Sequence, residues 1–142
     1  MNQYVGVYQD VGVKTADKQQ QLLMLYEGAI KFTSQAKEMM AQGDKAGKAE
    51  RLTKVISIID ALHGSLDPEV AEEFVENLSK LYEYMTLQVT KANISDNSDI
   101  LDEVIRLLNV LHEGWVDAVN QNRAGNTKPL PNMETMPSAV SA

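Results

Sequence analysis

The sequence predicts an all-α fold, an antiparallel up-down four-helix bundle with an extended N-terminal arm and a disordered C-terminal tail. Three observations predict it. Apolar residues recur at i, i+3, i+4, i+7 in four separate segments. Short polar breaks carrying Gly, Pro, Asn or Asp divide those segments. No stretch alternates apolar and polar residues over a useful strand length. Each segment runs roughly 20–26 residues, about 30–40 Å at 1.5 Å per residue, and short connections stack such helices antiparallel. The 142 residues fit one domain, expected over residues 1–122. With 44% hydrophobic and 6% aromatic residues, aliphatics and Met must fill its core.

The elements are justified in chain order. Residues 1–14 carry Gly6, Gly12 and the β-branched Val5, Val7, Val11 and Val13, which is not a helical pattern. This is the extended arm. Thr15 is the expected N-cap of a first helix over about 16–42, and Asp17 suits its positive end. Leu22, Leu25, Tyr26, Ala29, Ile30, Thr33, Ala36 and Met40 form its inner stripe, and Gly43 stops it. Asp44 caps a second helix over about 45–65. Its first stripe is Leu52, Ile56, Ile59 and His63, and a second stripe of Val55, Ile58 and Leu62 lies beside it. Asp67 as N-cap, Pro68 at the first position and Glu69 in the first turn start a third helix over about 68–93. Val70, Phe74, Leu78, Leu81, Met85, Val89 and Ala92 are its inner residues. Asn97 or Ser98 caps a fourth helix over about 98–121. Ile100, Val104, Leu107, Leu108, Leu111, Trp115 and Val119 line one face of it, widened by Leu101, Ile105 and Val116. Residues 123–142 hold three prolines and no helical period, so a disordered tail is expected.

Composition excludes several functions. The net charge of −7 repels a nucleic-acid backbone and an anionic membrane surface. The absence of cysteine removes disulfides, Cys-ligated zinc and a thiol nucleophile. The first residues lack the basic and apolar regions of a signal peptide, and no apolar run approaches the ~18 residues of a membrane span. A cytoplasmic, soluble protein without membrane insertion is expected.

Chemistry finds no constellation. A di-iron bundle needs Glu-x-x-His on two helices, whereas His63 follows Asp60 and His112 follows Asn109 at that spacing. Both histidines read as satisfied or half-exposed helix residues, and no metal or other cofactor is expected. No Gly-x-Ser-x-Gly or phosphate-cradling loop is present. Trp115 reads as an inner residue near one end of the bundle, and Met24, Met39 and Met85 as core filler.

The apolar residues outside the main stripes are more telling. An outer helix needs one apolar face about 100° wide. Val55, Ile58 and Leu62 on the second helix, Val75, Tyr84 and Leu87 on the third, and Leu101 and Ile105 on the fourth exceed it. Either they form a groove for an amphipathic partner helix, or they belong to a broad core or a homodimer contact.

Four pieces of the sequence resemble the flagellin-specific export chaperone family, FliS. They are Tyr8-Gln9 followed by Leu25-Tyr26-Glu27-Gly28-Ala29-Ile30; Lys54-Val55-Ile56-Ser57-Ile58-Ile59-Asp60 leading to Leu66-Asp67; Asn77-Leu78-Ser79-Lys80-Leu81-Tyr82-Glu83-Tyr84-Met85 with Ala92-Asn93; and Glu103-Val104 followed by Trp115. Their order and spacing hold over about residues 4–120. The resemblance implies a small, non-enzymatic cytoplasmic chaperone. Such a protein binds the unstructured C-terminal region of flagellin in hydrophobic grooves, prevents its premature polymerisation and delivers it to the flagellar type III export gate. It also implies an N-terminal arm that covers apolar surface and moves aside, an element matched here by Val5 and Tyr8. Partner contact is assigned to Val55, Ile58, Leu62, Leu101 and Ile105. The chain departs from the family where many members carry a basic pair. Here Met85 is followed by Thr86-Leu87-Gln88-Val89, which shifts recognition toward apolar contact. A monomer or weak homodimer is expected. The alternative is a helical regulator or homodimeric interaction protein with a different partner, such as a regulatory protein.

Overall fold

The computed structural model describes residues 17–67, 69 and 71–123. Four helices make up the fold: α1 Lys18–Gln42, α2 Lys45–Gly64, α3 Glu72–Ser95 and α4 Ser98–Arg123. The arm, with Val5 and Tyr8, and the tail beyond Arg123 lie outside the described residues.

Local chemistry sets each boundary. Asp17 is the N-cap of α1, its carboxylate accepting from the Gln20 N–H at 2.7 Å. The expected cap, Thr15, lies outside the described residues. Gly43 ends α1 in the left-handed region at φ 74°, and its N–H reaches the carbonyls of Met39 and Met40. Asp44 starts α2 at once, accepting from the Gly47 N–H at 2.9 Å. A Cβ on Gly47 would stand 2.3 Å from Asp44 Oδ2 and 2.8 Å from Met39 Sδ, so a larger residue there would push aside the capping carboxylate and the end of the Met39 side chain.

The third helix begins later than the sequence suggests. Asp67 does accept from the Glu69 N–H, at 3.0 Å, but this closes a separate turn. The chain then extends at Ala71 (φ −158°) before α3 starts at Glu72 with no side-chain cap. Asp96 closes α3 in the left-handed region at φ 54°. Asn97 Oδ1 accepts from the Asp99 N–H at 3.0 Å and caps α4.

The helices pack in a ring. α1 meets α2 and α4, and α3 meets α2 and α4; the diagonal pairs stand farther apart and meet through core side chains, as Tyr26 of α1 and Tyr82 of α3 do. Inside lie Leu25, Tyr26 and Ala29 from α1, Leu52, Val55, Ile59 and Leu62 from α2, Leu78, Tyr82, Met85 and Val89 from α3, and Leu101, Val104 and Leu108 from α4. On α3 the inner face is rotated from the expected one. Val75 is buried, whereas Phe74, expected inside, is 48% exposed.

A buried lysine ties two corners together. Lys48 of α2 is 4% exposed and donates from Nζ to the Asn93 carbonyl at 2.9 Å. It also pairs with Asp96. One ammonium thereby serves the open carbonyl end of α3 and its closing residue.

Candidate interaction surface

A core node hydrogen-bonds side chains of α1, α3 and α4, and a His63–Ser79 pair from α2 and α3 packs beside it. The Trp115 indole N–H of α4 donates to the Tyr26 hydroxyl of α1 at 3.0 Å. That hydroxyl lies 2.5 Å from the Tyr82 hydroxyl of α3. The His63 ring of α2 packs 5.9 Å from the Tyr82 ring, and its Nε2 bonds the Ser79 hydroxyl. Burial pushes the Tyr26 phenol well above its ordinary value near 10, against the opposing pull of the bonds from Tyr82 and Trp115. A phenol held neutral inside the bundle is a structural group. Every buried side-chain nitrogen and oxygen among the described residues has a partner.

The two flanks of α4 differ in character. Toward α1 the seam is charged: Lys37 pairs with Asp102, and His112 Nε2 meets Glu27 Oε2 at 2.9 Å. Toward α3 it is apolar with one polar clasp. Glu103 Oε1 accepts from the Tyr84 hydroxyl at 2.8 Å and from Gln88 Nε2 at 3.2 Å. The bond to Glu103 raises the Tyr84 phenol's pKa. At about 100° per residue, Ile100, Leu107 and Leu111 lie on the α4 side that turns Glu103 to α3. All three are only partly buried. On α3, Tyr84 is exposed on the flank that meets Glu103, whereas Leu87, at 58%, lies about 160° around the helix from Met85 and points outward. The outward Ile94 and Val110 are exposed too. Sequence reasoning singled out Tyr84 and Leu87 but passed over Ile94 and Val110, which sit opposite the inner stripes and carry no periodic signal.

The five residues assigned to partner contact are not brought to one surface. Val55, Ile58, Leu62 and Leu101 are at most 1% exposed and belong to the core. In this conformation they pack and offer nothing to a partner. A face about 100° wide is too narrow here, because burial on α2 runs around half of the helix, from Ala61 through Ile58, Leu62 and Val55 to Leu52. Ile105 alone is half-buried. It stands on α4, diagonally across the bundle from α2, and the other four face the core, so the five do not line a single surface groove. Val5 and Tyr8 lie outside the described residues.

Among the described residues no three His, Asp or Glu side chains converge as a metal-holding group. None of the described helices is long and apolar enough to cross a membrane.

Comparison with known proteins gives this surface its context. The profile of the family described as flagellar protein FliS matches residues 1–122. The flagellar secretion chaperone FliS of Salmonella typhimurium is 36% identical over 113 residues, covering 79% of this chain and 84% of that protein. The flagellar secretion chaperone FliS of Vibrio cholerae is 34% identical over 112 residues, 79% of this chain and 82% of the relative. That of Bacillus subtilis is 30% identical over 116 residues, 82% and 86%. With the family profile running from the arm to the end of α4, and with relatives matched over most of their own length, the chain belongs to the FliS family of flagellar secretion chaperones.

Proposed function

We propose that this protein is a non-enzymatic cytoplasmic chaperone for flagellin. It binds the unstructured C-terminal segment, keeps it from polymerising and hands it to the flagellar type III export gate. The family match over residues 1–122 carries this reading. The apolar α3–α4 seam, with Tyr84 exposed beside half-buried Leu107 and Leu111, supports it.

The physical task suits such a surface. A flagellin segment with apolar helix stripes associates with its own kind unless those stripes are covered. Covering them removes apolar area from water at about 25 cal/mol per Å², and ordering the segment opposes this by about 2–5 kcal/mol. The balance gives binding tight enough to block assembly yet reversible at the export gate. In this reading Ile105, on the α4 flank of His112 and away from Glu103, makes a separate contact. Val55, Ile58, Leu62 and Leu101 meet the client only where their cover is displaced, and Val5 and Tyr8 serve as a movable cover.

Titration calorimetry with the C-terminal ~50 residues of flagellin from the same organism tests the proposal. One-to-one binding with a large negative heat-capacity change is the expected signature of folding onto apolar surface. Intact, soluble components that produce no binding heat at several temperatures would overturn it.

A further inference from the structure

A shallow, largely apolar depression of about 520 Å³ lies at the start of α3, lined by Ala71, Glu72, Glu73, Phe74 and Asn77. The Phe74 ring is held edge-on against Trp115, centroids 6.2 Å apart at 82°, yet remains 48% exposed. Glu72 and Glu73 stand exposed at its rim, and neither forms an ion pair among the described residues. An anchored aromatic surface beside two carboxylates suits an extended segment that carries an apolar side chain next to a cation.

We propose that the occupant is the chain's own C-terminal sequence Lys128-Pro129-Leu130-Pro131, with Leu130 against Phe74 and Lys128 facing Glu72 and Glu73. Three observations carry the assignment. The first is place. Arg123 ends α4 eight positions beyond Trp115, about 12 Å along the helix axis. The seven residues from there to Leu130 span up to about 23 Å when extended, enough to return to Phe74. The second is backbone preference. Pro129 and Pro131 bias Lys128 and Leu130 to extended conformations. Such proline-rich segments dock on aromatic-lined surfaces at low entropic cost. The third is charge, one lysine facing two carboxylates on a chain of net charge −7. Tethering adds an effective concentration on the order of millimolar, so a contact too weak to see between separate molecules is populated within one chain. The tail then shields Phe74 without closing the α3–α4 seam.

The 142-residue chain lacks cysteine, so Asn132→Cys provides a single site for a nitroxide spin label. The expected result is paramagnetic broadening of the Glu72–Asn77 amide resonances that disappears in Leu130→Asp and in Phe74→Ser. Lys128→Glu should weaken it. Leu130→Asp changes only the tail, so it reports even if Phe74→Ser perturbs the bundle. Absent broadening, or broadening that survives Leu130→Asp, overturns the proposal. So does broadening that appears only when spin-labelled protein is mixed with unlabelled, isotope-enriched protein, because the occupant is then a second copy's tail.

Discussion

Ile58 and Ile105 divide packing from contact at the level of single side chains. Ile58 is 1% exposed, so Ile58→Asp places a carboxylate in the core without a designed partner. Losses of this kind exceed about 3 kcal/mol, and the variant should lose cooperative urea unfolding or shift its midpoint sharply. Ile105 is half-buried. Ile105→Asp should keep helical circular dichroism and a midpoint near that of the parent while weakening flagellin binding. An Ile58→Asp protein with an unchanged midpoint would show that the side chain is not part of the core. Tyr26 makes a second case. Tyr26→Phe removes the acceptor for the Trp115 indole N–H and the link to Tyr82, at a cost of about 1–3 kcal/mol for the buried groups left behind. The pH dependence follows from the raised phenol pKa. The folded state holds the proton more tightly than the unfolded chain, so this contribution is complete below the unfolded value near 10 and is lost as pH rises above it. Urea midpoints should fall above pH 10, and they should fall less steeply in Tyr26→Phe.

Among the helices, the α2–α3 junction depends on one buried cation. Lys48→Met keeps the bulk of the side chain but leaves the Asn93 carbonyl without its donor. This should cost about 1–3 kcal/mol and fray the last turn of α3 in hydrogen exchange. The Lys48 bond is also the main reason the Asp96 carboxyl sits below its usual range. In Lys48→Met the Asp96 titration, followed by NMR, should return upward. The same element shows what a sequence can and cannot disclose. Asp44, Gly43 and Asn97 act through bonds to residues within four positions, so their helix ends were legible. The α3 start was not, because the Asp67-Pro68-Glu69 signal closes a turn of its own and the helix resumes only at Glu72. The inner arc of α3 departs from the expected one at Val75, buried in place of Phe74, and at Tyr82, fully buried beside half-buried Leu81. Phe74 and Val75 lie near the edge of the stripe, and only the packed neighbours decide between them. The partner residues were the least legible. Exposure on α2 depends on how much of its circumference the rest of the chain covers, and periodicity measures only where the apolar residues are.

At the scale of the whole molecule, the bundle and the proposed chaperone role pose one shared question, namely how a chain with 44% hydrophobic residues keeps client-binding surface available without aggregating. A cover that competes with the client answers it. If Val5 and Tyr8 shield apolar surface, the covered form is the resting state, and flagellin must displace the arm before it gains its full contact. The apparent affinity is then reduced by the fraction of molecules in which the arm has already left. Deleting residues 1–14 removes that competition. The truncated protein should bind the fluorescent dye ANS more strongly, aggregate at lower concentration and take up the flagellin segment with a smaller dissociation constant than the full chain. The double variant Val5→Ser, Tyr8→Ser should reproduce the gain in affinity in the full-length protein, which separates the loss of the two side chains from the loss of the arm. Equal dye binding and equal affinity in all three proteins would mean that the arm covers nothing the client uses. The client would then be held by permanently open surface, the α3–α4 seam with Tyr84, Leu107 and Leu111, and Tyr84→Asp would be the substitution that abolishes binding.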